Sequence, residues 1–149
     1  MVTIILEGIR SAVKGIQLIT LYYTDVSGKS IPVNYRIYNK QEGKTKNDDL
    51  QEMIVEVLNW GLSPKTVTTD SWYSSQSNLK LLKNKQLGFL TGIAKNRSCS
   101  IDGKHFTQVQ NLEIPESGES SVSEKFWSGK GISQKFQKRN FQILHYVYP

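Results

Sequence analysis

Hydrophobic and polar positions along this chain follow first a two-residue period and then a helical one. Between Ile16 and Thr24 the β-formers Ile16, Leu18, Ile19, Leu21, Tyr22 and Tyr23 crowd together, which predicts a strand buried on both faces. Asp25-Val26-Ser27-Gly28-Lys29 has the composition of a turn. From Ser30 to Tyr38, Ile31, Val33, Tyr35 and Ile37 alternate strictly with other residues, the mark of a second strand. The short spacing joins the two as a β-hairpin. Pro32 marks an edge strand or a strand entry.

After a polar loop from Asn39 to Lys46, the period changes. Leu50, Met53, Ile54, Val57 and Leu58 recur at the spacing of one helical face, so a helix is expected over Asn47 to Trp60. Asp48, Asp49 and Glu52 complement its dipole, and Gly61 and Pro64 end it. A short strand, Thr66 to Thr69, precedes a second helix, Ser74 to Asn84, with Leu79, Leu81 and Leu82. Leu87 to Ala94 is a further strand. Helical crossovers between strands imply parallel pairing.

Beyond Lys95 the signal weakens. Ser98 to Ile101 and Lys104 to Val109 suggest a small hairpin around Asp102-Gly103, which Asn111 to Ile114 extends. Pro115 to Lys138, rich in Ser, Gly and Lys, reads as loop, and Phe141 to Val147 as a last strand. A hairpin followed by β-α-β units describes an α/β protein with a mixed sheet flanked by helices. A ribonuclease-H-like fold is one arrangement that suits this order, although periodicity alone does not determine topology.

The 149 residues suffice for one modest core. Nineteen Lys and Arg against thirteen Asp and Glu give a net charge of +6, which favours polyanionic partners, nucleic acid first. Cys99 is the single cysteine, which excludes an internal disulfide and a multi-cysteine zinc site. A reducing cytoplasmic setting is expected. The apolar run Val2 to Leu6 is too short to span a bilayer, so no membrane partner is expected.

The candidate chemistry centres on Thr66-Val67-Thr68-Thr69-Asp70-Ser71-Trp72-Tyr73. A β-branched run ends in a carboxylate, and α/β folds place their chemistry at strand ends. Asp70 is a candidate ligand for a divalent metal, or a cap or turn residue. Trp72 and Tyr73 are suited to stacking on bases, or to packing under the next helix. Lys80, Lys83, Lys85, Lys95 and Arg97 are candidates for phosphate contact, as are Lys40, Lys44 and Lys46 in the earlier loop. Each is equally an ordinary solvated residue. Asp25 is best read as a turn residue, and Asp48 and Asp49 as helix N-terminal charges. Glu113 and Glu116 flank a loop. Cys99 with His105 lacks a third orienting group and is set aside as a catalytic pair.

Four segments carry a family resemblance: KGIQLITLYYTD from Lys14, IPVNYRIYNKQEGKTKN from Ile31, TTDSWY from Thr68 and LGFLTGIAKNR from Leu87. In this order they resemble the DDE transposases of bacterial insertion sequences, of the type with a β-rich insertion in the catalytic core. The resemblance implies a ribonuclease-H-like core using three carboxylates and two divalent ions, Mg²⁺ or Mn²⁺, for phosphoryl transfer on DNA. Asp70 matches the second catalytic aspartate. The first belongs on a strand before Ile16, where Met1 to Arg10 holds only Glu7. The final glutamate belongs on a late helix after a strand like Tyr146-Val147-Tyr148, and no such helix is matched.

The resemblance thus divides the chain into a partial catalytic core over residues 1–97 and a β-rich insertion with an irregular tail over 98–149. It points to a truncated transposase, inactive by itself. The competing readings are a non-catalytic DNA-binding protein that inhibits a full-length transposase, and a nuclease that draws a metal site from Asp70, Asp25 and another carboxylate. A fragment too incomplete to fold stably is a fourth.

Overall fold

Two strands and the turn between them build the first unit of the fold. The computed structural model describes residues 3–7, 16–100, 102, 104–112, 119–121, 135–138 and 142–146. Strand β1 is Thr3–Glu7, β2 is Gln17–Thr24 and β3 is Ser30–Tyr38. The β2–β3 turn is built around Asp25. Its Oδ1 accepts from the Ser27 amide at 2.8 Å, the Ser27 hydroxyl at 2.7 Å and the Lys29 amide at 3.0 Å. Gly28 takes φ +84° there, a backbone region that glycine enters without a Cβ penalty. Asp25 is thus a turn residue, and the Ser27 hydroxyl leads in lowering its pKa.

The hairpin carries a β-bulge. Leu21 pairs with Asn34 and Tyr22 with Pro32, which leaves Val33 as the extra residue. Val33 packs against the core while Tyr35 and Ile37 face away, 64% and 58% exposed. Ile16 and Leu18 are also exposed, so the expectation that the first hairpin strand is buried on both faces is corrected. Its buried face is carried by Ile19 and Leu21. The reason lies in α1, Lys46–Asn59, which packs on the other side of the hairpin. There Asn34 and Arg36 reach Glu56 of the helix at 2.8 and 2.6 Å, so the polar half of the alternation turns inward.

Helix α1 starts in a capping box. The Thr45 hydroxyl accepts from the Asp48 amide, and the Asp48 carboxylate accepts from the Thr45 amide at 2.8 Å. Leu50, Met53, Ile54 and Val57 are buried along one face, each contributing about 1.5–3 kcal/mol. A Schellman turn ends the helix: Gly61 N–H reaches Leu58 O, Leu62 N–H reaches Val57 O, and Gly61 takes φ +88°.

Strand β4, Thr66–Thr69, leads through a 3₁₀ turn, Ser71–Tyr73, into α2, Gln76–Asn84, and then β5, Gly88–Gly92. The 3₁₀ turn precedes the expected start of the second helix, and α2 itself begins at Gln76 rather than Ser74, because Ser75 is its N-cap and its hydroxyl accepts from the Asn78 amide. A small separate hairpin follows, β6 Ser98–Cys99 with β7 Thr107–Gln108. A 3₁₀ turn, Val109–Asn111, follows it where an extension of the hairpin is expected, and Glu113 and Ile114 lie outside the described residues. Cys99, Val109 and Leu112 join the main core. Within the stretch read as loop, two strands form, β8 Glu119–Ser121 and β9 Lys135–Lys138. They pair with each other, and β9 pairs with β10, Gln142–Tyr146. Backbone pairing there does not depend on an apolar signal.

Among the described residues the fold is mixed α/β, with an eight-stranded sheet in the order β3-β2-β1-β4-β5-β10-β9-β8. Strand β1 is antiparallel to β2 and parallel to β4, which is parallel to β5. Hence β1, β3, β4 and β5 all run the same way, and their C-terminal ends share one edge. Val67 and Phe89 sit side by side in register and are fully buried. Among the described residues no helix is long and apolar enough to cross a membrane.

Candidate functional site

The shared C-terminal edge of β1, β3, β4 and β5 collects the candidate chemistry. Asp70 follows β4 directly and caps the 3₁₀ turn, where its Oδ1 accepts from the Trp72 amide at 2.8 Å. The backbone beneath it is held by a buried threonine. Thr91 Oγ1 bonds Thr69 Oγ1 at 2.7 Å and lies 3.1 Å from the Asp70 carbonyl oxygen. Gly92 packs against the backbone of Ser71. Asp70 is thus the cap residue that its sequence context allowed, on a firmly held strand end, with its carboxylate exposed.

Tyr73 is buried and belongs to the hydrophobic core. Burial, with the negative charges of Asp70 and Asp49 behind it, pushes its hydroxyl up to about 12. As a DNA-stacking candidate it is corrected to a packing residue, because the 3₁₀ turn rolls its ring inward. Trp72, one position earlier, is 66% exposed. Asn78 ties this turn to both helices: its Nδ2 donates to Tyr73 O at 2.9 Å and Asn47 Oδ1 at 2.7 Å, and its Oδ1 accepts from Gln51.

The register of β1 against β4 ends at Ile5 beside Thr68. Beyond that register Glu7 ends β1 and Asp70 follows β4, both at the same edge of the sheet. Asp25 is elsewhere. It follows β2, whose last residue pairs with Thr3 at the start of β1. That places it at the opposite edge of the sheet, roughly 15 Å away at the rise of a strand. The nuclease reading based on Asp70 with Asp25 is therefore dropped.

Beside Asp70 opens a groove of about 780 Å³ lined by Gln17, Tyr38, Lys40, the Thr45–Asn47 start of α1, Ser71, Trp72, Ala94, Asn96 and Arg97. Among the described residues no carboxylate lines it. Lys46 Nζ lies 5.3 Å from the centroid of the Tyr38 ring and 5.7 Å from that of Trp72, within cation–π range of both. Arg97 is placed by its backbone, whose N–H bonds Ala94 O and whose carbonyl accepts from Val109 N–H.

Of the residues proposed from sequence to contact DNA, Trp72, Arg97, Lys40 and Lys46 share this groove. Lys80 and Lys83 lie on α2, and Lys95 in the turn after β5, outside its lining. Lys44 is held by Glu52 at 2.7 Å, which raises its pKa. Tyr38 and Gln17 escaped sequence reasoning. They pair across the hairpin end, and a strand-terminal tyrosine carries no local sign of the lysine that will approach it.

The divalent ions implied by the resemblance find a poor donor set here. Asp70 has one oxygen engaged by the Trp72 amide. Among the described residues no group of three or more His, Cys, Asp or Glu is placed to hold a metal. One exposed carboxylate does not fit a hard cation that takes six oxygen ligands. Nor does Cys99 form a site with His105. The thiol is buried against Thr107 O, and His105 Nδ1 pairs with Asp102 Oδ2 at 2.6 Å. That aspartate also accepts from two backbone amides and Ser100, which together hold its carboxyl well below the usual range.

No protein-family model, curated protein or solved structure matches this chain.

Proposed function

We propose that this chain carries part of the catalytic core of a DDE transposase, with Asp70 as its second catalytic carboxylate, and that alone it neither cuts nor joins DNA. The observation that carries the reading is the placement of Asp70 directly after β4, which runs parallel to and beside β1, whose last residue is Glu7. The ribonuclease-H-like core that the resemblance implies is supported by antiparallel strands leading into parallel β-α-β units within one sheet. Inactivity is supported by the single matched carboxylate and by its engagement as a cap.

Two experiments test this. A nicking and strand-transfer assay with Mg²⁺ or Mn²⁺ is expected to show no turnover by this chain. Robust activity abolished by Asp70→Ala would overturn the claim of inactivity. Sequencing the DNA on both sides of the reading frame is expected to reveal an aspartate-ending strand upstream and a Tyr-Arg-Glu helix downstream. Finding neither removes the transposase origin.

The groove favours a second reading, a non-catalytic DNA-binding protein that competes with an intact transposase. Lys40, Lys46 and Arg97 form no ion pair among the described residues. Binding to DNA should weaken steeply with salt, and salt-independent binding would remove this reading.

A further inference from the structure

We propose that the groove beside Asp70 is a binding site for single-stranded nucleic acid, with Trp72 as the stacking platform and Lys46, Lys40 and Arg97 as the phosphate contacts. This deepens the proposed function by naming the form of nucleic acid, and it requires no metal at Asp70.

Charge is the first argument. Three cations from separate segments, the 3₁₀ turn Lys40–Glu42 after β3, the start of α1 and the turn after β5, converge on one groove that no carboxylate lines among the described residues. Glu52 and Glu56 neutralise Lys44 and Arg36 nearby, so the groove keeps the cations that the rest of this face has paired. An open groove lined by cations attracts a polyanion.

The aromatic lining decides which polyanion. Trp72 is two-thirds exposed although it lies on the groove wall beside Tyr38. An indole left in water loses the gain of burial, and its following neighbour Tyr73 takes the core position instead. Lys46 places its ammonium over one face of the Tyr38 and Trp72 rings, so a base takes the other face of the indole or displaces the ammonium, which is then near enough to meet its phosphate. In a duplex each base is already stacked above and below, so the ring has no face to meet. An unpaired strand offers its bases freely. The remaining lining, Gln17, Asn47, Ser71 and Asn96, supplies hydrogen-bond donors and acceptors to base edges of any sequence.

The test is fluorescence anisotropy of the full chain with a labelled oligothymidylate and with a duplex of equal length, in chelator so that no metal chemistry intervenes. Tighter binding of the single strand is expected. Trp72→Leu should weaken it about 5- to 150-fold, the range that loss of one stacked base corresponds to, while leaving duplex binding nearly unchanged. Lys46→Gln and Arg97→Gln should each lower the salt slope by about one. Because Trp72 is exposed, its replacement does not open the core, and the two charge variants give a readout independent of it. Equal binding of both forms, insensitive to Trp72, overturns this inference and leaves the proposed function standing. Binding of neither form overturns the DNA-binding reading as well.

Discussion

Gly92 lies so close to Ser71 that a Cβ built on it would stand 3.0 Å from the Ser71 amide nitrogen and 3.3 Å from its Cβ. The end of β5 and the turn that follows Asp70 are thereby pressed together without an intervening side chain. The obstructing atom is backbone, which cannot rotate aside. Gly92→Ala is expected to push the Ser71–Tyr73 turn outward, at a cost of about 1–3 kcal/mol. Urea denaturation should read that loss, and the emission of Trp72 should change with it. An unchanged midpoint and spectrum would show that the turn yields freely.

Helix α2 ends in the same hydrogen-bond pattern as α1, with Gln86 N–H to Lys83 O and Leu87 N–H to Leu82 O. Here the left-handed position is filled by Gln86, at φ +59°. A residue with a Cβ is strained there, so Gln86→Gly should stabilise the protein by about 1 kcal/mol. A higher thermal midpoint is the expected reading. Gly61→Ala, at the equivalent position of α1, should move it the other way.

Asn78 is a buried polar residue whose side chain satisfies three groups from α1 and the 3₁₀ turn. Removing it leaves those groups without their partner, the Tyr73 carbonyl in a buried setting and the Asn47 and Gln51 side-chain amides in a partly buried one. Asn78→Ala should cost about 2 kcal/mol and loosen α2 against α1. Hydrogen exchange of the α2 amides is the sensitive measurement, with protection expected to drop there before it drops in β2 and β3.

The pH dependence of stability should carry the mark of Glu56. Hydrogen bonds from Arg36, then Asn34, hold its carboxyl below the ordinary value of 4.5. A folded-state pKa depressed in this way adds stability that is fully present above about 4.5 and is lost as pH falls through the folded value. The pair is partly open to solvent, its side chains 27% and 40% exposed, so the gain is at most about 1 kcal/mol. Glu56→Gln should lower the thermal midpoint at pH 7 and match the parent below the folded pKa of Glu56. A difference that persists undiminished at low pH would mean that packing, not charge, sets the effect.

Much of the local architecture was legible in the chain. The period of Leu50, Met53, Ile54 and Val57 named both α1 and its buried face. Asp25 and Gly28 marked the hairpin turn, and β-branched residues ending at Asp70 marked a strand and the place of the candidate carboxylate. These features depend on neighbours within a few residues, so local pattern contains them. The bulge at Val33 did not show, since a slip of the ladder depends on the partner strand. The alternation of Tyr35 and Ile37 could not say which face it would present, because that was settled by α1 and the Glu56 partnership with Asn34 and Arg36.

The contrast is sharpest at adjacent residues. Sequence by itself determined that an aspartate ends β4, that an aromatic pair follows it and that the chain is basic. Only the tertiary structure separated Trp72, in water beside Lys46, from Tyr73 in the core. It also gathered Lys40, Lys46 and Arg97 around one groove, left Lys80 and Lys83 on a helix outside it, and sent Asp25 to the far edge of the sheet. The physical reason is common to all of these. Hydrogen-bond geometry and hydrophobic period act over a few residues, whereas a site is a meeting of strand ends, and strand direction and order determine which ends meet.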